Sequence, residues 1–328
     1  MKKHKKIIIW GAKLDTGHTN GFVHLGMVRA AASLGIEVYW LDNRDNVAPE
    51  FFDDAIVFTE QWLTLPNTLG SNLPLRKSST YFIHYLGNKG PVEGNNGAMH
   101  YLGKVGKLFD YRFACDWGCN GEIDKNWNYK FEKEKYEPLN NGHSFYESGS
   151  EYDNMYSFWA TDLLPDEIDY NDRFIPFKEP KYAFFGGTIR EDNHSYFEPF
   201  IRACNENNIL FLHNCPWKNP LTIENIKKYV VESYIAFDAR PSNHLSNNYI
   251  PCRMFKNISY GHLPVTNSKA IYDYFDGDVA YAENTYDIFN KAKELIDDKE
   301  LILRQMVNVK TNHTYVNRIK DIITASEI

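Results

Sequence analysis

The chain has 328 residues, 43% of them hydrophobic and 24% charged, and a net charge of −7. That length is generous for one core and comfortable for two α/β domains of about 150 residues each. The composition excludes a disordered chain, no apolar run approaches the roughly 20 residues of a membrane-spanning helix, and the negative charge argues against a general nucleic-acid binder.

In chain order, the basic run Lys2-Lys3-His4-Lys5-Lys6 reads as a solubilising terminus, with peripheral contact to an anionic membrane surface as the functional alternative. Residues 6–10 form a buried-type strand, 11–21 a glycine-punctuated loop, 22–34 an amphipathic helix stopped by Gly35, and 37–41 a second strand. This βαβ unit opens a Rossmann-like domain. Its apolar stretch at 7–10 is too short for a signal-peptide core, and five cysteines, odd and sparse, fit a reducing cytoplasm better than a disulfide scaffold. The loop carries neither a GxGxxG fingerprint nor a P-loop, so NAD and ATP are not expected there. His24, on the helix, reads as structural. Further strands are predicted at 55–59, 80–85 and 111–115. Cys115 and Cys119 have a loose metal-like spacing, but no second pair completes a zinc site. Residues 120–152, polar and aromatic, read as an extended surface region serving as an acceptor lid or an interaction surface. A boundary beside the proline-containing stretch 176–180 divides the chain into domains 1–176 and 177–328.

A fresh βαβ pattern follows: a strand at 181–185, the turn Gly186-Gly187-Thr188, a helix at 194–207 and a strand at 209–213. A helix at 222–231 and a strand at 233–237 come next. The segment 248–266 is the most informative. Pro251 suits a first helical turn, Met254, Phe255 and Ile258 share one face, Gly261 serves as the C-terminal cap, and a short strand closes at 266. Arg253 and Lys256 lie three apart near a helix N-terminus whose free N–H groups favour an anion such as a diphosphate. Any helix–Gly–strand unit of an α/β protein is the plain alternative. A short strand at 279–281 and a helical tail from 285 to 323 complete the chain. Asp276-Gly277-Asp278, the sole DxD, precedes a strand and reads as a turn.

The order of residues here resembles the donor-binding region of GT-B glycosyltransferases. The nearest pattern is the fucosyltransferase-like Tyr-x-x-x-basic-x-x-x-Asn, carried by Tyr249, Arg253 and Asn257. The resemblance implies two Rossmann-like domains facing across a cleft, with the last helix, 301–323, returning to the first domain. It implies transfer of a sugar from a nucleotide diphosphate sugar to a hydroxyl acceptor, a glycan or small molecule, without a cofactor or metal. Retaining members carry a ribose-holding Glu in this helix. Lys256 stands there instead, which weakly favours inversion and leaves the ribose contact without its residue.

Open α/β sheets bind ligands where the carboxyl ends of strands and helix N-termini converge. On the donor side these places hold Gly186, Gly187, Thr188 and Arg190; His213 and Asn214; Asp238, Arg240, Asn247, Asn248 and Tyr249; and Arg253, Lys256 and Asn257. Arg253, as a guanidinium at a helix start, is the leading expected phosphate ligand. In the loop after the first strand, His18 or Asp15 is the expected base for the acceptor hydroxyl, with Asp116 a second candidate and Thr16, Gly17, Thr19 and Asn20 lining the acceptor side. The bland alternatives are turn formers in the donor loops and a helix cap for His18. Two rival readings remain at this level: a GT-B-type nucleotide-sugar epimerase, distinguished by a closed set of carboxylates around the sugar, and a non-catalytic sugar or nucleotide binder, distinguished by the absence of turnover.

Overall fold

The computed structural model describes residues 4–11, 13, 19–60, 64, 68–84, 86, 97–113, 136–140, 142–170, 182–189, 193–216, 218–246 and 248–328. It is a mixed α/β fold of two units, Met1–Leu14, Val23–Phe158 and Tyr315–Ile328 forming the first, Asp15–Phe22 and Trp159–Thr314 the second.

In the first unit, β1 (Lys6–Trp10), α1 (Thr19–Ser33) and β2 (Val38–Leu41) form the expected βαβ opening. The run Ile7-Ile8-Ile9 is buried on both faces, as a central parallel strand requires. Gly35, at φ 71°, ends α1 in a Schellman arrangement: Ile36 N–H donates to Ala31 O at 3.1 Å and Gly35 N–H to Ala32 O at 2.9 Å. The sheet continues through β3 (Ala55–Glu60), β4 (Thr80–His84), β5 (Lys107–Phe113), β6 (Glu137–Leu139), β7 (Ser144–Glu147) and β8 (Asp153–Ser157) in the order β2-β1-β3-β4-β5-β8-β7-β6. Its β6–β7 and β7–β8 pairs are antiparallel and the others parallel.

Two expectations change here. The strand expected at 111–115 starts four residues earlier, because Asp110 and Arg112 pair on one buried face and interrupt the apolar pattern. Within 120–152, expected to be an extended surface region, the described residues 136–140 and 142–152 build β6 and β7, with Tyr136, Leu139, Phe145 and Tyr146 buried. Cys115 and Cys119 lie outside the described residues.

The second unit contains β9 (Tyr182–Gly186), α2 (Glu198–Glu206), β10 (Leu210–Asn214), α3 (Ile223–Glu232), β11 (Ile235–Ala236), α4 (Ser242–Ser246), α5 (Cys252–Ser259), β12 (Val265–Thr266), α6 (Lys269–Tyr274), β13 (Ala280–Tyr281), α7 (Thr285–Leu295) and α8 (Lys299–Asn312). Strands β10-β9-β11 and β12-β13 are parallel sets, and a bridge between Asp238 and Thr266 joins them edge to edge. Residues 159–170 group with this unit, whereas the sequence reading puts the boundary at 176/177. Thr161 pairs with Thr314, its hydroxyl meets that of Ser259 at 2.7 Å, and Asp162 accepts from Tyr260 Oη at 2.6 Å. The same pairing interrupts the expected continuous helical tail, since Thr314 must be extended; Asp298, accepting from Leu301 N–H at 2.9 Å, caps a second break.

The last helix, α9 (Tyr315–Glu327), belongs to the first unit. Arg318, fully buried, donates through Nε to Phe158 O at 2.7 Å, and Asp321 accepts from Asn140 Nδ2 and Ser144 Oγ, both at 2.5 Å. Tyr315 packs where Gly26 of α1 leaves room, and a Cβ at Gly26 would overlap its ring. Gly26→Ala should therefore destabilise the protein by about 1–3 kcal/mol, the range for overpacking. In urea denaturation, adding Tyr315→Ala to that variant should cost less than the sum of the two single changes.

Helix α5 ends as its sequence predicts. Gly261, at φ 88°, donates to Ile258 O at 2.9 Å, and His262 N–H reaches Asn257 O at 3.0 Å. The His262 ring is buried and its Nε2 faces Val231 O at 3.4 Å. Burial pushes its pKa down to about 4 from an ordinary 6.5. The unfolded chain therefore takes up a proton that the folded chain refuses, so stability is lost as pH falls from about 6.5 towards 4, by as much as roughly 3 kcal/mol. The difference in urea stability between pH 7 and pH 4.5 should shrink in His262→Gln.

Candidate functional site

The carboxyl ends of β9, β10, β11 and β12 and the first turn of α5 meet at one edge of the second unit, and most of the described donor-side residues lie there. Asp238 follows β11 and is fully buried. Its Oδ1 accepts from Arg253 Nη1 at 2.6 Å and from Arg240 Nη2. Asp238 and Arg240 are two apart in extended chain, so both side chains emerge on one side. Asn267 after β12 clamps the Arg240 backbone, accepting from its N–H at 2.7 Å and donating to its carbonyl at 3.0 Å.

Arg253 is committed to protein oxygens. Its Nε and Nη2 donate to Gly186 O at 3.1 and 2.6 Å, its Nη1 to Asp238, and its guanidinium lies 4.3 Å from the Phe185 ring centroid. This gives the glycine pair a different use from the one expected of a phosphate turn. Gly186 ends β9 and supplies a carbonyl to Arg253. A Cβ on Gly187 would stand 2.5 Å from Arg253 Nη2 and 2.8 Å from the Phe185 ring, so only glycine fits beneath the guanidinium.

Gly187 also joins the next strand end, donating to Asn214 O at 2.9 Å while its carbonyl sits 2.7 Å from His213 Nε2. His213 stacks on Phe185 at 5.8 Å. Asn214 is buried and donates to Asn219 O at 2.8 Å, while its Oδ1, Asp238 Oδ2 and Arg240 Nε have no hydrogen-bond partner among the described residues. The Thr188 carbonyl accepts from Asn193 Nδ2 at 3.1 Å.

Other expected residues lie apart from this network. Asn257 faces back into the fold, its Nδ2 donating to Ala236 O at 3.3 Å. Asn248 is exposed in the left-handed region at φ 52°, and the Tyr249 ring packs on His244 at 4.9 Å, with burial raising its phenol pKa. Lys256 makes no contact with Asp238, but it lines a pocket with Phe184, Gly186, Ile226, Val230 and Arg253, its Nζ 3.5 Å from the centroid of Phe22, a residue whose contacts group it with this unit. Asp15, Thr16, Gly17, His18, Asp116, Arg190 and Asn247 lie outside the described residues; Thr19 and Asn20 are helical, and nothing is described of their side chains.

Sequence reasoning missed Asn267, Phe185 and a titratable cluster in the first unit. There Glu60, ending β3, lies 3.6 Å from His24 Nε2 and 3.8 Å from His84 Nδ1, with His84 ending β4 in register beside it. All three are buried. Burial works to raise the Glu60 carboxyl, and the two imidazoles hold it well below the usual carboxylate range. The available signal was an apolar strand that stops on a titratable residue, twice.

No protein-family model matches the chain, and neither does any curated protein. Among solved structures, the chain is similar to AviGT4, a glycosyltransferase involved in avilamycin A biosynthesis, with 9% sequence identity and a TM-score of 0.47 over 98% of this chain and 96% of that one.

The buried carboxylate between two guanidiniums sets a stability test. Asp238→Ala should cost about 3–5 kcal/mol in urea denaturation, because it leaves two buried cations without their partner. Asp238→Asn, which keeps an acceptor, should cost less.

Proposed function

We propose that the chain is a GT-B-type glycosyltransferase that moves a sugar from a nucleotide diphosphate sugar to a hydroxyl acceptor. The observation that carries this reading is the gathering of Arg240 and Arg253 on Asp238 at the carboxyl edge of a parallel sheet, with Lys256 lining a pocket beside Arg253 and Gly186, the glycine that ends β9. Cations fixed in a poorly solvated edge stabilise the charge that develops on a leaving diphosphate. The Tyr249, Arg253 and Asn257 order supports the same family. In this reading cationic side chains take the part that a divalent metal plays elsewhere, inversion is weakly favoured, and the base comes from His18, Asp15 or Asp116.

The test is a thermal-shift and calorimetric screen of nucleoside diphosphates, followed by turnover of the matching sugar nucleotides with and without EDTA. One nucleoside diphosphate is expected to bind and raise the melting temperature, and sugar transfer or slow donor hydrolysis is expected to persist in EDTA. Absence of binding across the panel at millimolar concentration overturns the reading. Loss of activity in EDTA with recovery in magnesium or manganese removes the metal-independent mechanism.

A further inference from the structure

Among the described residues β10 is the outermost strand of its sheet, and from it the chain passes through α3 straight to β11 on the far side of β9. In the parallel register Leu210 stands beside Tyr182 and Leu212 beside Phe184, so both leucines share the face on which Tyr229 of α3 stacks on Phe184 at 5.4 Å. That face is poorly covered. Leu210 is 56% exposed and Tyr229 39%, Leu212 and Tyr182 are half-buried, and Leu210 is the one exposed large apolar side chain of a described strand. The opposite face is filled, with Phe211 against Phe200 of α2 and His213 stacked on Phe185.

The backbone of β10 is oriented by one bond. Asn214 O accepts from Gly187 N–H at 2.9 Å, one residue beyond its register partner Gly186, so the N–H and C=O groups of Leu210, Leu212 and Asn214 point to β9 and those of Phe211 and His213 point outward. Residues 209–214 contain no proline, lysine or acidic side chain, the devices that keep an edge strand from pairing.

We propose that this edge is an interface between two copies of the chain, joined by antiparallel pairing of β10 with itself about a twofold axis at Leu212. In that register Phe211 of one copy and His213 of the other exchange both backbone hydrogen bonds, Leu212 meets Leu212 in the close non-hydrogen-bonded pair, and Leu210 meets Asn214. The outward donors and acceptors fall at the two positions symmetric about Leu212, so the strand is its own complement, and no like charges stand opposite each other. This selects a second copy as the occupant. The twofold also sets the two exposed leucine faces on one side of the joined sheet, where each covers the other's edge.

The test is sedimentation velocity of the full chain from about 1 to about 100 μM, with cross-linking through single cysteines placed on β10. The wild type should be a dimer that dissociates on dilution. Leu212→Lys sets two ammoniums opposite each other at the axis and should raise the dissociation constant at least about tenfold, whereas Leu210→Lys faces Asn214 and should raise it less. Under mild oxidation Leu212→Cys should join two copies through the introduced thiols, identified by mass spectrometry of the linked peptides, because Cα atoms about 4.5 Å apart lie within disulfide reach. Leu210→Cys should not, since the two positions are roughly 13 Å apart along the strands. Circular dichroism checks folding, and the cysteine variants decide the register should Leu212→Lys fail to fold. A wild type that is monomeric at about 100 μM overturns the proposal and leaves the face to a partner of another kind. A dimer unchanged in Leu212→Lys, or a cross-link through Leu210→Cys and none through Leu212→Cys, also overturns it.

Discussion

The second unit is organised around one buried carboxylate. Asp238 has no access to solvent, and a carboxylate in that position must be met by charged or strongly polar donors. Arg240 meets it from two residues along the same chain and Arg253 from the first turn of α5, so the loop after β11 and the helix cannot move independently. Arg253 carries the tie on to β9 through the Gly186 carbonyl, and Asn267 carries it to the strand after Arg240. Three strand ends and a helix start are thus held by charge pairing where backbone ladders have already stopped.

That constraint explains residue choices that a ligand-centred reading assigns otherwise. Glycine at 187 is needed because a guanidinium and a phenyl ring occupy the space of its Cβ. Phe185 packs against both the Arg253 guanidinium and the His213 ring. A phosphate-binding turn and an arginine shelf place the same demand on sequence, a residue without a side chain, and only the contact map separates them.

The βαβ patterns were legible because each rests on local signals: Ile7-Ile8-Ile9 for a central strand, and Gly35 and Gly261 for helix ends whose positive φ suits glycine. The β6–β7 hairpin was not, since its buried aromatics stand beside Pro138, Asn140 and Gly142, which read as turn chemistry. The start of β5 was hidden by the Asp110–Arg112 pair, whose charges cancel each other on a buried face. At the site, positions were legible and partners were not. The residues at the strand ends follow from the α/β pattern alone, whereas Arg253 meets Gly186 across 67 residues and Asp238 across 15. No local rule sets those distances. It is the partner, not the position, that makes Arg253 a strut.

The two units solve one problem with different chemistry. Each buries a carboxylate at the carboxyl edge of a parallel sheet between two nitrogenous side chains: Glu60 between His24 and His84, Asp238 between Arg240 and Arg253. Guanidiniums keep their charge across the physiological range, so the Asp238 cluster presents a fixed field. At Glu60 burial and the two neighbouring imidazoles act on one carboxyl in opposite directions, and the imidazoles prevail. The first-unit carboxylate is thus held by neighbouring rings on two elements, the second-unit one by two guanidiniums.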